Sequence, residues 1–467
     1  APVSDVSPRV SLGLMVGPLD RLGPALGDAL VRDPDIAATY AVDCSYAPTA
    51  PEHFTVVRAR DVQDVVAVLE EAQAHGIPVV PQGARTSLTG ASCATEGAIV
   101  LNVEDLRDLD IDPVEGHARV DPGLVTAELK SAAHEADLFY PPDPASADTC
   151  TIGGNIATNA GGLCCVKYGV TADYVKSLEV VLPGGERIRT GKRTAKGVAG
   201  YDLTGLFVGS EGTLGVVTSA WVRLVPAPDP ALTALATFDS LDDAVRGVLA
   251  LRADRHRPSL LEFLDRASIA AVQAIGDFGF PSGCEAALLV QSDRPGHAGE
   301  DVIRYAAALA DAGAVETVVA DNAAEADLLM KGRRMLNHAL EAKGGRLAED
   351  ACVPIARLAQ FVRIGQDISA RSGVEITLSG HGGDGNLHPS LFFTRGDPDG
   401  LHRAEAALED LLRAALDLGG TITGEHGIGV QKRRYLSWEL GHAELARQRS
   451  VKTLFDPRGI MNPGKVY

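Results

Sequence analysis

At 467 residues the chain is too long for one ordinary core, and 45% apolar with 22% charged residues is the composition of a folded globular protein of two or three domains. A formal charge of −19, spread along the whole sequence, excludes a basic nucleic-acid footprint and makes any anionic ligand depend on a locally positive pocket. Seven cysteines without a CxxC pair form no disulfide framework, which fits a reducing cytoplasm.

Residues 1–50 read as a helical lead-in, with LGPALGDALV as an amphipathic helix before the Pro-rich YAPTAPEHF. The earlier segment VSLGLMVGPL lacks a basic flank and is cut by Gly and Pro, so it is neither a secretory signal nor a membrane span. No later stretch reaches spanning length, although a start at Ala1 instead of Met leaves targeting open. Residues 51–226 alternate short β-rich runs with dense glycine turns, around one clear helix at 64–76 capped by Asp61 and stopped by Gly76. The Pro-punctuated VPAPDPA at 225–231 is the expected linker. Over 227–424 the strands ALATF, SLLEFL, AALLVQ and VETVVA, and the runs VEITLSG and NLHPSLFF, accompany helices near 241–254, 296–312, 322–342, 354–372 and 398–418. That pattern predicts a sheet with helices on one face. Residues 425–467 form a last segment.

Three glycine-rich loops stand out in the first half. VVPQGARTSLTG at 79–90 exposes backbone N–H groups that, bent into a nest, suit a pyrophosphate. TIGGNIATNAGG at 151–162 allows backbone to approach a flat ligand, and GSEGTLGVVT at 209–218 is the third. Any one of them also reads as a turn in an antiparallel sheet; three in one domain weigh against that. No G-x-G-x-x-G follows a strand, which argues against a Rossmann site. GIMNPGKV at 459–466 has P-loop spacing, but Val466 stands where Ser or Thr is required.

In their order, VPQGARTSLTG, YPPDPAS, TIGGNIATNAGG, KYG and GYDLTGLFVGSEGTLGVVT resemble the FAD-binding domain of the vanillyl-alcohol oxidase type of flavoproteins. SGHGGDGNLHP, ITGEHGIGVQKRRYL and FDPRGIMNPGKV resemble the branch holding the glycolate oxidase FAD subunit, D-lactate dehydrogenase and D-2-hydroxyglutarate dehydrogenase. The resemblance covers roughly residues 45–467. It implies an α+β fold: a two-subdomain FAD-binding domain, then a cap with an antiparallel sheet and helices on one face, and a final segment returning to the flavin. By the same resemblance Gln82, Gly83, Ala84, Arg85, Thr86, Ser87 and Gly90 cradle the FAD pyrophosphate. Pro142, Gly154, Asn155, Thr158, Asn159, Gly161, Gly162 and Gly169 line the flavin, and Asn462 returns to its edge. The first loop has no attachment histidine, so non-covalent FAD is expected; Cys164 and Cys165 read as small buried hydrophobes.

His381 and His388 flank GGDGNL, at the end of one apolar run and inside the next, so two strands could aim both imidazoles at one point. Two unrelated loop histidines are the other reading. Glu425 and His426, adjacent between glycines in TGEHG, suit a third ligand and a base better than core packing. The resemblance implies the same roles: His381, His388 and Glu425 hold a divalent metal, zinc preferred over manganese or iron, and His426 is the base. It places Arg333 on a substrate carboxylate, and Asp384 fixes the intervening turn.

The expected activity is FAD-dependent oxidation of a small D-2-hydroxy acid, with electrons leaving to a quinone, cytochrome or electron-transfer protein and not to NAD. Pro389-Ser390 after GDGNLH looks closer to the glycolate and lactate members than to the 2-hydroxyglutarate enzymes, which tend to carry Asn two residues after that histidine. Two other readings are a non-redox FAD transferase resembling alkyl-dihydroxyacetone-phosphate synthase, and a silent subunit of a multi-subunit oxidase. A homodimer is compatible with all three.

Overall fold

The computed structural model describes residues 23, 25–46, 50–278, 280–281 and 283–467; the VSLGLMVGPL segment and part of YAPTAPEHF lie outside them. Within 22–31 the described residues do not form one continuous helix. Gly27 has φ 50°, and the chain passes through a tight turn at Gly27–Ala29 into strand β1 (Leu30–Val31).

The first sheet comprises β1, β2 (Phe54–Arg58), β3 (Val79–Gln82) and β4 (Ala98–Asn102), in the order β1-β2-β4-β3. β4 is parallel to both β2 and β3, as the intervening helix α1 (Val62–His75) requires. Asp61 caps α1 by accepting the N–H groups of Gln63 and Asp64, and left-handed Gly76 ends it. Val65, Val68, Leu69 and Ala72 bury its inner face against the sheet.

The second sheet runs β5 (Leu109–Asp112), β6 (His117–Val120), β10 (Val216–Arg223), β8 (Val175–Val181) and β9 (Arg187–Gly191), antiparallel throughout. Helices α2 (Thr126–Glu135) and α3 (Ile152–Thr158) fall between its strands. The expected linker begins as a strand: β11 (Val225–Pro226) pairs with β7 (Leu138–Phe139) before the chain leaves for the third sheet.

The third sheet joins β15 (Glu316–Val319), β12 (Leu232–Phe238), β14 (Ala286–Ser292), β13 (Leu260–Asp265), β18 (Ile376–His381), β19 (Asn386–Phe393) and β16 (Gly345–Ala348), with β17 (Ala351–Cys352) also on β19. All its pairings are antiparallel. Alternate residues Ala234, Ala236 and Phe238 pack under α4 (Leu241–Ala253), α6 (Ala298–Asp311), α8 (Leu358–Ser372) and α9 (Pro398–Asp417). The expectation of helices on one face meets a difference here. Leu235, Leu264 and Leu289 face the other way, against α5 (Arg266–Gln273) and α7 (Ala323–Glu341). Strands apolar at every position need cover on both sides. No helix among the described residues is long and apolar enough to cross a membrane.

Candidate functional site

One cleft of about 820 Å³ touches all three sheets. The first sheet contributes Gln82, the last residue of β3, and Gly83, Ala84, Arg85, Thr86 and Ser87 directly after it. This loop is held from behind: Gln82 Nε2 donates to the carbonyls of Tyr40 (2.9 Å) and Ser92 (2.8 Å), and Asn102 Nδ2 to that of Gly83 (3.2 Å). Arg85, in the left-handed region at φ 60°, reaches Glu104 at 3.0 Å. A Cβ on Gly83 would sit 2.5 Å from Thr151 Oγ1, so only glycine lets the two loops close on each other. Gly154, Asn155 and Thr158 of α3, then Gly161 and Gly162, form the second wall. Such a wall of small residues and backbone, opposite a nest-like loop, fits a flavin nucleotide.

Five residues expected at the flavin do not line this cleft. Gly90 is packed under Val430, and Pro142 is buried. Asn159 ends α3 in a left-handed turn and accepts the Ala172 N–H, and Gly169 leaves no room for a Cβ because Asp173 Oδ2 would lie 2.1 Å away. Asn462, 1% exposed, spends its amide on the carbonyls of Ala91 (2.9 Å) and Glu211 (2.7 Å) and presents nothing to the cleft. The rejected P-loop reading agrees: Lys465 donates to the Ala91 and Cys93 carbonyls and to Asn462. Burial pushes its amine down to about 8.

The third wall carries the titratable groups. In the β18–β19 hairpin Ser379 lies opposite His388 and His381 opposite Asn386, which puts both imidazoles on one face. One ligand atom each from His381, His388 and Glu425 lie within 4.8 Å of one another. His381 Nε2 is 3.3 Å from Glu425, whose other oxygen is 4.0 Å from His388 Nε2. Glu425 also accepts the Gly162 N–H at 3.0 Å, tying this cluster to the second glycine-rich wall. Burial opposes charge on His381, but Glu262 and Glu425 outweigh it and hold the ring well above the usual histidine value. Burial, then the neighbouring His381, push His388 down to about 3, so it is a neutral imidazole with a free lone pair. Burial raises Glu425, yet the charge and hydrogen bond of His381 overcome it and bring it to about 2. The neutral His388 and the ionised Glu425, joined by His381 once a cation displaces its Nε2 proton and with its Nδ1 held by another carboxylate, would form a donor set suited to a divalent cation.

His426 lies outside that set. Its ring stacks on His388, centroids 5.2 Å apart and planes 12° apart, and its Nδ1 faces Asp350 at 3.6 Å. Asp384 stays in the turn, its N–H bonded to the His381 carbonyl, and is not one of the clustered ligands. Arg333 of α7 is only 13% exposed in its side chain and its Nε donates to Glu262 at 2.5 Å, so it is not a solvated surface arginine. Cys164 and Cys165 are half-buried, and burial pushes the first up to about 12 and the second higher still, leaving both as thiols.

Several residues escaped the sequence reading. Glu262, fully buried in β13, bonds both His381 and Arg333. Asp350, also fully buried, accepts the N–H groups of Gly424 (2.6 Å) and Glu425 (2.7 Å) and the ammonium of Lys432 (2.5 Å). It thereby shapes the loop that carries Glu425 and His426. Arg346 lines the cleft, with burial pushing it below the usual guanidinium range. A charge inside an otherwise apolar run was the available signal for Glu262.

Known proteins give a consistent comparison. Residues 55–191 match the family described as FAD binding domain, and 227–466 that described as FAD linked oxidases, C-terminal domain. Glycolate oxidase subunit GlcD of Bacillus subtilis is 42% identical over 415 residues, 88% of each chain. A D-lactate dehydrogenase of Archaeoglobus fulgidus is 36% identical, over 90% of this chain and 93% of its own. Among solved structures, p-cresol methylhydroxylase with substrate bound superposes with a TM-score of 0.76 at 18% identity over 96% of each chain, a likeness of fold of the vanillyl-alcohol oxidase type.

Proposed function

This chain belongs to the FAD-linked oxidases and is an FAD-dependent oxidoreductase, and from that premise we propose that it oxidises a small D-2-hydroxy acid to the 2-oxo acid with metal assistance. D-Lactate or glycolate is the preferred substrate, D-2-hydroxyglutarate a weaker one, and a separate carrier (quinone, cytochrome or electron-transfer protein) takes the electrons. The observation that carries this reading is the convergence in one cleft of the two glycine-rich walls, the His381–His388–Glu425 cluster and Arg333. The names of the relatives, glycolate oxidase and D-lactate dehydrogenase, support the substrate class. Residues 51–226 hold the flavin, 227–424 the substrate, and 425–467 return to join the two.

Bound FAD supplies the two-electron acceptor, and a cation, zinc by preference, supplies the Lewis acidity that makes an α-hydroxyl easier to deprotonate. The residues do the rest. Arg333 presents a guanidinium to the acid's carboxylate and fixes which face of Cα meets the flavin wall. His426, with Nδ1 toward Asp350, takes the hydroxyl proton on Nε2, and the Asp350 carboxylate stabilises the resulting imidazolium. Asp350 itself is buried, but Lys432 and His426 outweigh that penalty and keep it ionised far below the usual carboxylate range.

Anaerobic mixing with a panel of D- and L-2-hydroxy acids tests the proposal. D-Lactate or glycolate is expected to bleach the flavin of metal-loaded protein and to leave that of metal-free protein oxidised. Flavin that no member of the panel reduces would favour a non-redox transferase.

A further inference from the structure

We propose that Glu262 is a positioning residue that fixes His381 and Arg333 in one frame, so that a single buried carboxylate sets both the metal ligand and the substrate's carboxylate holder. The inference rests on the metal and substrate reading above and adds a residue to it. Glu262 sits in β13, a strand buried at every position, and is 0% exposed. An ionised carboxylate there is unfavourable unless both oxygens are matched, and they are matched one to one. Oε1 accepts from His381 Nδ1 at 2.6 Å and Oε2 from Arg333 Nε at 2.5 Å. β13 pairs with β18 through Phe263–Gly380 and Leu264–Ser379, which brings Glu262 beside His381. Arg333 arrives separately, from α7.

The geometry has a direction on each side. On one, the bond to Nδ1 fixes the tautomer and ring plane of His381, so that Nε2 faces Glu425. On the other, anchoring Arg333 through Nε leaves its terminal nitrogens without a hydrogen-bond partner among the described residues, on a side chain that lines the cleft. The guanidinium is thus held at its stem and open at its fork. With one oxygen on each partner, Glu262 is the acceptor toward both. A residue that only neutralised local charge would not need one oxygen on each partner.

The test uses the FAD-loaded full chain, with zinc affinity read by chelator competition and steady-state constants read with D-lactate and a dye. Glu262→Gln keeps the volume but can accept properly from only one partner. It is expected to weaken zinc roughly 10- to 100-fold and to raise KM about 10-fold or more, with FAD content unchanged. In the double variant with Arg333→Ala, KM rises no further than with Arg333→Ala alone, while zinc affinity falls as in Glu262→Gln. Glu262→Asp, which keeps the charge and shortens the reach, covers the case of a Gln variant that fails to fold and should show both losses in smaller measure. Wild-type zinc affinity and KM in either folded variant overturns the proposal, as do additive KM effects in the double variant. If unaltered protein neither holds zinc nor reduces its flavin with any 2-hydroxy acid, the functional reading falls and this inference with it; if it does both and the variants match it, only the role of Glu262 falls.

Discussion

Glu425 and His426 are neighbours in sequence with different partners, so they should fail differently. The Glu425 oxygens meet His381, His388 and the Gly162 N–H, whereas the His426 ring stacks on His388 and turns Nδ1 to Asp350. His426→Ala should therefore keep zinc and FAD and lose roughly 10² to 10⁴ in flavin reduction rate, the usual worth of a placed general base. Glu425→Ala should lower metal content by elemental analysis and regain part of its activity in excess zinc; the opposite pattern would exchange the two roles. Asp350→Ala should cost on the order of 1 to 3 kcal/mol, read as a lowered unfolding midpoint, because it leaves the Gly424 and Glu425 N–H groups without their acceptor and the fully buried Lys432 ammonium with Glu349 as its remaining carboxylate. His381 and Glu425 were legible because a glycine stands directly before each, and His388 because it closes the GGDGNL turn that begins after His381. Glu262 and Asp350 were not, since each lies in or beside an apolar run where a single carboxylate reads as an outward-facing position. Asn462 misled for the opposite reason: a polar residue in a conspicuous motif turned out to bond backbone and not the cleft.

At the scale of elements, local chemistry was readable wherever it was self-contained. Asp61 and Gly76 bound α1 as the sequence indicated, and Asp61→Ala should cost about 1 kcal/mol by exposing the first-turn N–H groups, measurable as a fall in thermal midpoint. The two-sided helix cover of the third sheet was not readable, because runs such as AALLVQ and SLLEFL carry no alternation to say which face is covered. Helix α6 adds an acid-sensitive joint. Asp301 there is buried, which raises its carboxyl, but Arg294 and Arg304 outweigh that and hold it below the unfolded value of 3.8. A depressed carboxylate contributes stability that is fully present above the unfolded value and is lost as pH falls through the folded one. Asp301→Asn should thus lower the melting point at pH 7 and shrink the difference between variant and parent below pH 3.8; a difference independent of pH would remove this ion pair from the account.

For the molecule as a whole, the two glycine-rich walls and the His381–His388–Glu425 cluster come from different elements, so cofactor and metal binding should be separable. Dialysis against a strong chelator is expected to abolish turnover while leaving the flavin absorption spectrum in place. Acid precipitation should release FAD into the supernatant, since Gln82–Ser87 offers no attachment histidine and Cys44 is the one cysteine lining the cleft among the described residues; flavin retained in the pellet would mean a covalent bond. The back of the pyrophosphate loop also has a history in time. Ala91 and Cys93 receive their donors from Asn462 and Lys465, and Val79 pairs with Met461, some 371 residues downstream at the Asn462 contact. A ribosome moving at about 5–20 residues per second needs roughly 20 to 75 s to cover that distance. For that interval the glycine-rich loop has no floor beneath it. Flavin capture is therefore expected late in biosynthesis, once Asn462 and Lys465 have closed the back of the loop.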